Sequence, residues 1–287
     1  ASLLSVDRPV EGLKQFEGEI FGLLMQGVVT WPSAARKQIM MNLLPPLIKF
    51  DPTTEKLTVL WNTVQSMFHL GAETRVECYS ILCQFFEQFF ALNTTDGDAF
   101  VVDLRGEEMF WKIILAGLAG EDTFTRKRSI YLQKRIVDLS KNNATIKPKQ
   151  WTQYFVWSPE QTRDLTRQWE LFFMMYDTLD QYASHLLHST WGQIYNMFPK
   201  RGDTGAYLNF EWVKLLLIAA FTHNNFGVCK MTIASFFDLD LSVYEIYFDM
   251  KFVTETIFQF IGNSKFFYKR EKIGARMVKF FGDYYNA

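Results

Sequence analysis

The sequence predicts an all-α protein in which pairs of helices repeat along the chain. Three observations favour this fold class: apolar residues recur at helical spacing, proline and glycine are scarce, and the chain is long for a single core. Its 287 residues are 48% hydrophobic and 17% aromatic, which is enough to bury a sizeable core. Single cores stop growing near about 250–300 residues. A repeat array removes that limit because each unit needs contact only with its neighbours.

Apolar residues mark one face of a helix along most of the chain. Between Leu57 and Phe68 they stand at positions i, i+3, i+4, i+7, i+10 and i+11. The same stripe recurs in residues 165–179, 187–198, 213–221 and 273–284. Only eight prolines and sixteen glycines interrupt the chain, and this scarcity favours long helices over many short strands.

Local signals place several helix ends. The run Ser158-Pro159-Glu160-Gln161 is typical of a helix start, with a capping hydroxyl and a proline in the first turn. Gly71 is expected to be a left-handed residue that ends the helix before it. The second helices of the pairs are predicted to start near Ser33, Thr74, Thr125, Ser184 and Asn225.

These starts lie about 40 to 60 residues apart, which brackets the roughly 40–47 residues of HEAT and armadillo repeats. We therefore expect one HEAT/armadillo-like right-handed solenoid domain over residues 1–287. Because the first residue is not methionine, we expect it to be a fragment of a longer chain. Similarity between the units is poor, and a globular helical bundle stays open as the alternative.

Charge and cysteine usage narrow the class of protein. A net charge of −1 means that any basic surface must be local. The odd set Cys78, Cys83 and Cys229 is expected to be reduced and to lie in the core of a cytoplasmic or nuclear protein. The longest apolar runs reach about half of the roughly 20 residues that a membrane span needs, so no membrane partner is predicted.

No complete catalytic constellation is found in the sequence. His185 and His188 are three residues apart, but no HExxH or CxxC motif accompanies them. Neither GxGxxG nor GxxxxGK[ST] occurs, so no phosphate-cradling loop is predicted. An enzyme that uses these histidines with the acidic run between Asp238 and Asp249 is kept as one hypothesis, and it requires the two groups to meet in one cleft.

A basic stretch predicts a nucleic-acid contact. Residues 126–149 carry eight cations against a single acidic residue, Asp138. Within one helix, residues seven apart stack on the same side, which aligns Lys127 with Lys134. A linear row of cations can neutralise consecutive phosphates of RNA or DNA. The predicted contacts in this row are Arg126, Lys127, Arg128, Lys134 and Arg135.

A second basic stretch runs over residues 265–270, where aromatic residues alternate with cations. Such a pattern can stack unpaired bases while the charges hold phosphates, and it makes Lys269 and Arg270 further candidates. The alternative is a helical terminus whose aromatic side chains cover the last repeat.

Two segments resemble a known family. The first is Thr125-Arg-Lys-Arg-Ser-Ile-Tyr-Leu-Gln-Lys-Arg-Ile-Val137, and the second runs from Trp169-Glu-Leu-Phe-Phe to His185. Both resemble the helical-repeat region of the TAR RNA-binding tRNA (guanosine-2′-O-)-methyltransferase family, over roughly residues 105–200. The resemblance implies that the parent enzyme methylates a tRNA ribose with S-adenosylmethionine, through a separate knotted domain. It implies no cofactor and no catalytic residue in this segment.

Three functions are therefore considered. The first is a non-catalytic RNA-binding and scaffolding solenoid of such a methyltransferase, with tRNA or another structured RNA as partner. The second is a scaffold that binds a protein or forms a homodimer, in which the basic row pairs with carboxylates of the next repeat. The third is the enzyme with dispersed residues described above.

Overall fold

The prediction of an all-α protein is confirmed. A computed structural model describes residues 11–50, 53–90, 102–143, 147–180, 183–244, 251–258 and 271–286. Their regular structure is helical, and neighbouring helices pack in pairs. An isolated antiparallel bridge joins Lys200 to Tyr244. None of the helices in the described part of the chain is long and apolar enough to cross a membrane.

The chain divides into two compact units, residues 1–152 and residues 153–287. The predicted single solenoid domain over residues 1–287 concerns the arrangement of these two units relative to each other, and it stays a prediction. In unit 1 the helices are α1 (Glu11–Thr30), α2 (Ser33–Gln38), α3 (Leu44–Phe50), α4 (Thr54–Leu70), α5 (Ala72–Gln84), α6 (Phe86–Phe89), α7 (Glu108–Ala119) and α8 (Thr123–Asn142). A π-helical turn, Ile39–Leu43, joins α2 to α3, and a 3-10 turn, Leu104–Gly106, precedes α7.

The apolar stripe predicted between Leu57 and Phe68 lies in α4 and faces the core of unit 1. Leu60 and Val64 are fully buried, and Trp61 contacts the ring of Phe110 in α7 at 6.4 Å between centroids. α4 packs against both α1 and α5. The stripe therefore faces the core as predicted.

A buried ion pair fastens α2 to α5 within unit 1. Arg36 Nε lies 2.8 Å from Glu77 Oε2, and both side chains are almost fully buried. Ser33 Oγ donates a second hydrogen bond to Glu77 Oε1 at 2.9 Å. Burying two charges together is tolerated only when hydrogen bonds replace the lost water. The pair therefore fixes where α2 meets α5.

Gly71 ends α4 as predicted, but not in the predicted conformation. Its φ of 165° and ψ of 178° are extended rather than left-handed. The reason is that α5 begins at the next residue, so Gly71 serves as its N-cap. In that role its carbonyl oxygen accepts from the amide of Arg75 at 3.0 Å and from Thr74 Oγ1 at 2.9 Å, and extended backbone is usual there.

Unit 2 contains a core of aromatic side chains. Trp169 and Phe172 each pack edge-to-face against Trp212, with ring centroids 5.3 and 5.6 Å apart. Phe155 joins them at 5.7 Å from Trp169. The helices of this unit are α9 (Thr162–Thr178), α10 (Leu187–Thr190), α11 (Phe210–Phe221), α12 (Phe226–Phe237) and α13 (Glu271–Asn286), with 3-10 turns at Ser184–Leu186 and Trp191–Met197 and a π-helical segment at Phe252–Ile257.

The start of α9 lies four residues after its predicted cap. Ser158 still caps a turn, since its Oγ accepts from the amide of Gln161 at 3.2 Å. The α-helical pattern begins only at Thr162. The local signal therefore identified the capping hydroxyl correctly and the helix boundary incorrectly.

Candidate nucleic-acid interface

The basic row lies on α8, which begins at a strong cap. The carboxylate of Asp122 accepts from the amide of Thr125 at 2.7 Å. Hydrogen bonds from Thr125 hold the pKa of Asp122 below its ordinary value, which keeps a negative charge at the positive end of the helix. The inner face of α8 is fully buried through Ser129, Leu132 and Ile136.

Close contact with α7 fixes the rotation of α8 about its axis. Gly117 of α7 faces Ser129 so closely that a Cβ on the glycine would lie 2.1 Å from Ser129 Oγ. The phenol of Tyr79 in α5 also meets this point and donates to the carbonyl oxygen of Ile113 at 2.8 Å. Because these three helices interlock here, the opposite side of α8 is directed outward.

The Arg126 side chain is hydrogen-bonded to the turn that precedes α8. Its guanidinium donates to the carbonyl oxygens of Gly120 and Glu121 at 3.0 and 2.6 Å, and to Thr123 Oγ1 at 3.3 Å. These carbonyls belong to the turn between α7 and α8. The side chain thus joins the two helices.

Arg135 and Arg128 are also engaged within unit 1. Arg135 Nη2 lies 2.6 Å from Glu87 Oε1, and its guanidinium lies 5.4 Å from the ring centroid of Phe86. Arg128 Nη1 donates to the carbonyl oxygen of Val76 in α5 at 3.4 Å. The three arginines of the row therefore contribute to packing and pairing between helices.

The lysines of the row lie on the outward side of α8. Lys127 is exposed and Lys134 is half-buried. Lys141, seven residues beyond Lys134, is exposed as well. Sequence reasoning counted Lys141 in the basic stretch without naming it as a contact.

Two aromatic side chains share this outward side. Phe124 is 70% exposed and Tyr131 is 48% exposed. Sequence reasoning did not single them out, although their spacing carries the signal: residues 124, 127, 131 and 134 follow the three- and four-residue steps of one helix face. We call Phe124, Lys127, Tyr131, Lys134, Asp138 and Lys141 the outer stripe of α8, in which Asp138 is the one acidic residue.

The remaining candidate residues are placed as follows. Lys269 and Arg270 lie outside the described residues. His185 and His188 are both exposed, and no group of three or more His, Cys, Asp or Glu side chains in the described part of the chain could hold a metal ion.

The acidic run is engaged in local contacts where it is described. Asp238 Oδ2 pairs with Arg276 Nη1 of α13 at 2.9 Å. Asp240 Oδ1 accepts from Ser242 Oγ at 2.6 Å, and this hydrogen bond holds the pKa of Asp240 below its ordinary value. Glu245 and Asp249 lie outside the described residues.

The thiols follow the predicted pattern. All three cysteines are free, with Cys78 and Cys229 buried and Cys83 half-buried. Burial raises the pKa of Cys78 to about 12 and that of Cys83 to about 11, the latter opposed by the charge of Arg128. These thiols are therefore protonated near neutral pH and are weak nucleophiles.

The fold and the outer stripe together define an all-helical protein of paired helices with a basic, aromatic helix face. Residues 72–200, from the start of α5 to three residues beyond the second 3-10 turn of unit 2, match the model of the TARBP1 domain. The chain thus carries a TARBP1 domain, the domain named for TAR RNA-binding tRNA methyltransferase 1, and the predicted family resemblance is confirmed. The comparison with curated proteins gave no match, and neither did the comparison with solved structures.

Proposed function

We propose that this chain is a non-catalytic RNA-binding and scaffolding part of an S-adenosylmethionine-dependent tRNA 2′-O-ribose methyltransferase, with its helix pairs forming part of a HEAT/armadillo-like solenoid. The TARBP1 domain over residues 72–200 supports the family. The observation that carries the RNA contact is the outer stripe of α8, which lies inside that domain. In this proposal the methyl transfer belongs to a separate domain of the parent enzyme.

The chemistry of the outer stripe suits a single-stranded or unstacked RNA segment. Lysines seven residues apart on a helix are separated by about 10.5 Å along its axis, so they can meet different phosphates of one strand. Tyr131 stands between Lys127 and Lys134 with half its surface exposed. An exposed ring between cations can stack a base of any sequence, since every base has a π-face.

The contact residues in this proposal differ from the row of five cations that the sequence alone suggests. Arg126, Arg128 and Arg135 already bind carbonyl or carboxylate oxygens of unit 1. Reversing their charge would disturb packing as well as any RNA contact. Lys127 and Lys141 are exposed and make none of these arginine contacts, so they test the proposal with less disturbance of packing.

The experiment is titration of a labelled tRNA with the wild-type chain and with the triple variant Lys127→Glu, Lys134→Glu, Lys141→Glu at several salt concentrations. Three phosphate contacts predict an affinity loss of about 20- to 40-fold between 50 and 200 mM salt, because each contact releases counterions. The triple variant should lose this affinity and most of the salt dependence.

A matched control keeps the change in net charge but moves it elsewhere. Lys37, Lys230 and Lys279 are exposed on α2, α12 and α13. The variant Lys37→Glu, Lys230→Glu, Lys279→Glu should bind tRNA within about threefold of wild type if the contact is local rather than a response to total charge. Equal losses in the two triple variants would contradict a role for the outer stripe.

A protein-binding scaffold is the second candidate function, and an exposed apolar face of α1 favours it. Phe16, Ile20 and Leu23 follow helical spacing on α1, and Leu23 is 63% exposed. Trp31, directly after the end of α1, is exposed as well. The ion pair between Arg135 and Glu87 also fits a basic row that is balanced within the protein. This function predicts no measurable tRNA affinity, and association with a protein partner or second copy that Leu23→Ser weakens and salt hardly changes.

A further inference from the structure

Unit 2 contains a cavity of about 270 Å³. Its walls come from the segment 153–156, the beginning of α9 and the segment 206–209 that leads into α11. The aromatic side chains that line it are Tyr154, Trp169 and Tyr207, and the amide side chains are Gln153, Gln161 and Asn209. We call it the unit-2 cavity.

Two of the amide side chains that line the cavity use their oxygen atoms in local hydrogen bonds and keep their nitrogen atoms as donors. Asn209 Oδ1 accepts from the amide of Glu211 at 2.9 Å and so caps α11, which leaves its Nδ2 as a donor. Gln161 Oε1 accepts from Ser158 Oγ at 3.3 Å, which leaves its Nε2 as a donor. Gln153 is exposed at the wall.

Trp169 is the most buried of the aromatic side chains that line the cavity. It is 1% exposed and is held by Phe172 and Trp212 in the aromatic core. Its indole Nε1 is buried and has no hydrogen-bond partner among the described residues. The Trp169 ring gives the cavity an aromatic wall that is fixed by its neighbours in the core.

The electrostatic character of the cavity favours a neutral ligand. None of the side chains that line it, all of them described, carries a charge. Tyr207 donates its phenolic proton to Asp203 Oδ2 at 2.6 Å. Burial, together with the adjacent carboxylate, raises the pKa of Tyr207 to about 12, so the phenol stays neutral and the carboxylate repels a phosphate.

We propose that the unit-2 cavity binds one unpaired nucleobase of an RNA. Its volume lies just below the roughly 300–1000 Å³ of pockets for drug-sized ligands, which suits a single ring system. Aromatic walls and amide side chains are the groups that proteins use to stack a splayed base and to read its edge. The charge of the exposed Lys200 acts on Asp203, the residue that accepts from Tyr207 of the lining.

This inference rests on the proposed function for RNA as the ligand, but it uses residues that the outer stripe does not. The test measures binding of short labelled single-stranded RNAs, oligo(A), oligo(C) and oligo(U), and of a strand of abasic riboses. Ala206→Leu puts a larger side chain into the cavity, and Gln153→Leu removes an exposed edge-reading amide without touching the core. Ala275→Leu and Gln193→Leu make the same changes at exposed positions outside the cavity.

Ala206→Leu should lose about 5- to 150-fold in affinity for base-containing strands, because it displaces the base and base stacking is worth about 1–3 kcal/mol. Gln153→Leu should lose affinity for at least one of these strands, because it removes a group that reads the base edge. The control variants should bind as wild type, and the abasic strand should bind equally weakly to all forms. Urea unfolding of Gln153→Leu should match wild type, so that its loss cannot be attributed to misfolding.

The outcomes separate the two proposals. If the cavity variants bind every strand as wild type while the lysine triple variant does not, the cavity proposal is overturned and the outer stripe stands. If the cavity variants lose affinity and the lysine variant does not, the reverse holds. If no RNA binds but Ala206→Leu abolishes binding of a free nucleoside, the base site stands and RNA as its source is overturned. If neither RNA nor nucleoside binds, both proposals fall.

Discussion

Replacing Gly117 by alanine tests the packing that orients α8 and its outer stripe. A Cβ at this position would lie 2.1 Å from Ser129 Oγ and 2.7 Å from both Cε1 and the hydroxyl oxygen of Tyr79. Neither neighbour can easily move away. Ser129 Oγ donates to the carbonyl oxygen of Thr125 at 2.9 Å, and the Tyr79 hydroxyl donates to that of Ile113 at 2.8 Å. The new methyl group must therefore push α7 away from α8 or break one of these buried hydrogen bonds.

Opposing contributions set the expected change in the free energy of unfolding of Gly117→Ala. Overpacking a close-packed core costs about 1–3 kcal/mol, and contacts this short belong at the upper end. Loss of one buried hydrogen bond adds about 1 kcal/mol. The better helix propensity of alanine returns up to about 1 kcal/mol. We expect Gly117→Ala to lower the free energy of unfolding by about 2–3 kcal/mol.

Gly22→Ala is the matched control, because Gly22 is exposed within α1 and a Cβ there would have nothing within 4 Å. It should raise the free energy of unfolding by about 0.5–1 kcal/mol. Urea unfolding followed by circular dichroism measures both variants. In the double variant Gly117→Ala, Ser129→Ala, removal of the hydroxyl should recover about 1 kcal/mol as coupling energy. A Gly117→Ala chain as stable as wild type would refute the interlocked packing of α7 and α8.

Two further predictions concern buried groups of unit 1. Arg36→Met leaves Glu77 buried without its partner and should lower the free energy of unfolding in urea by about 3–5 kcal/mol. Adding Glu77→Gln should restore part of this loss. A single variant as stable as wild type would contradict the role of the pair. Burial raises the pKa of the Cys78 thiol from 9.0 to about 12 on folding, so its contribution to stability is fully present below pH 9 and is lost as pH rises toward 12. Cys78→Ala should reduce that alkaline decline by about 1.4 kcal/mol per pH unit, and an identical decline in both proteins would contradict the assignment.

Much of the helical architecture was predictable because helix formation is read by local rules. The stripe of α4, with Leu60 and Val64, is buried as its spacing requires. The cap at Asp122 is used to start α8. The conformation of Gly71 was predicted wrongly because the next helix was expected to start near Thr74, whereas α5 begins at Ala72 and takes Gly71 as its N-cap. A residue that serves two helices takes the geometry of the second.

The candidate interface was predictable only in part. The sequence by itself determined that α8 is basic and that Lys127 and Lys134 share one side, since both follow from residue identity and a period of 3.6. Only the tertiary structure decided that Arg135 is paired with Glu87 from another helix and that Phe124 and Tyr131 face outward. The physical reason is that charge and periodicity are properties of one segment. Pairing and exposure depend instead on residues from other helices, such as Glu87, which is 48 residues from Arg135 in sequence. Close contacts such as that between Gly117 and Ser129 set how these helices approach each other.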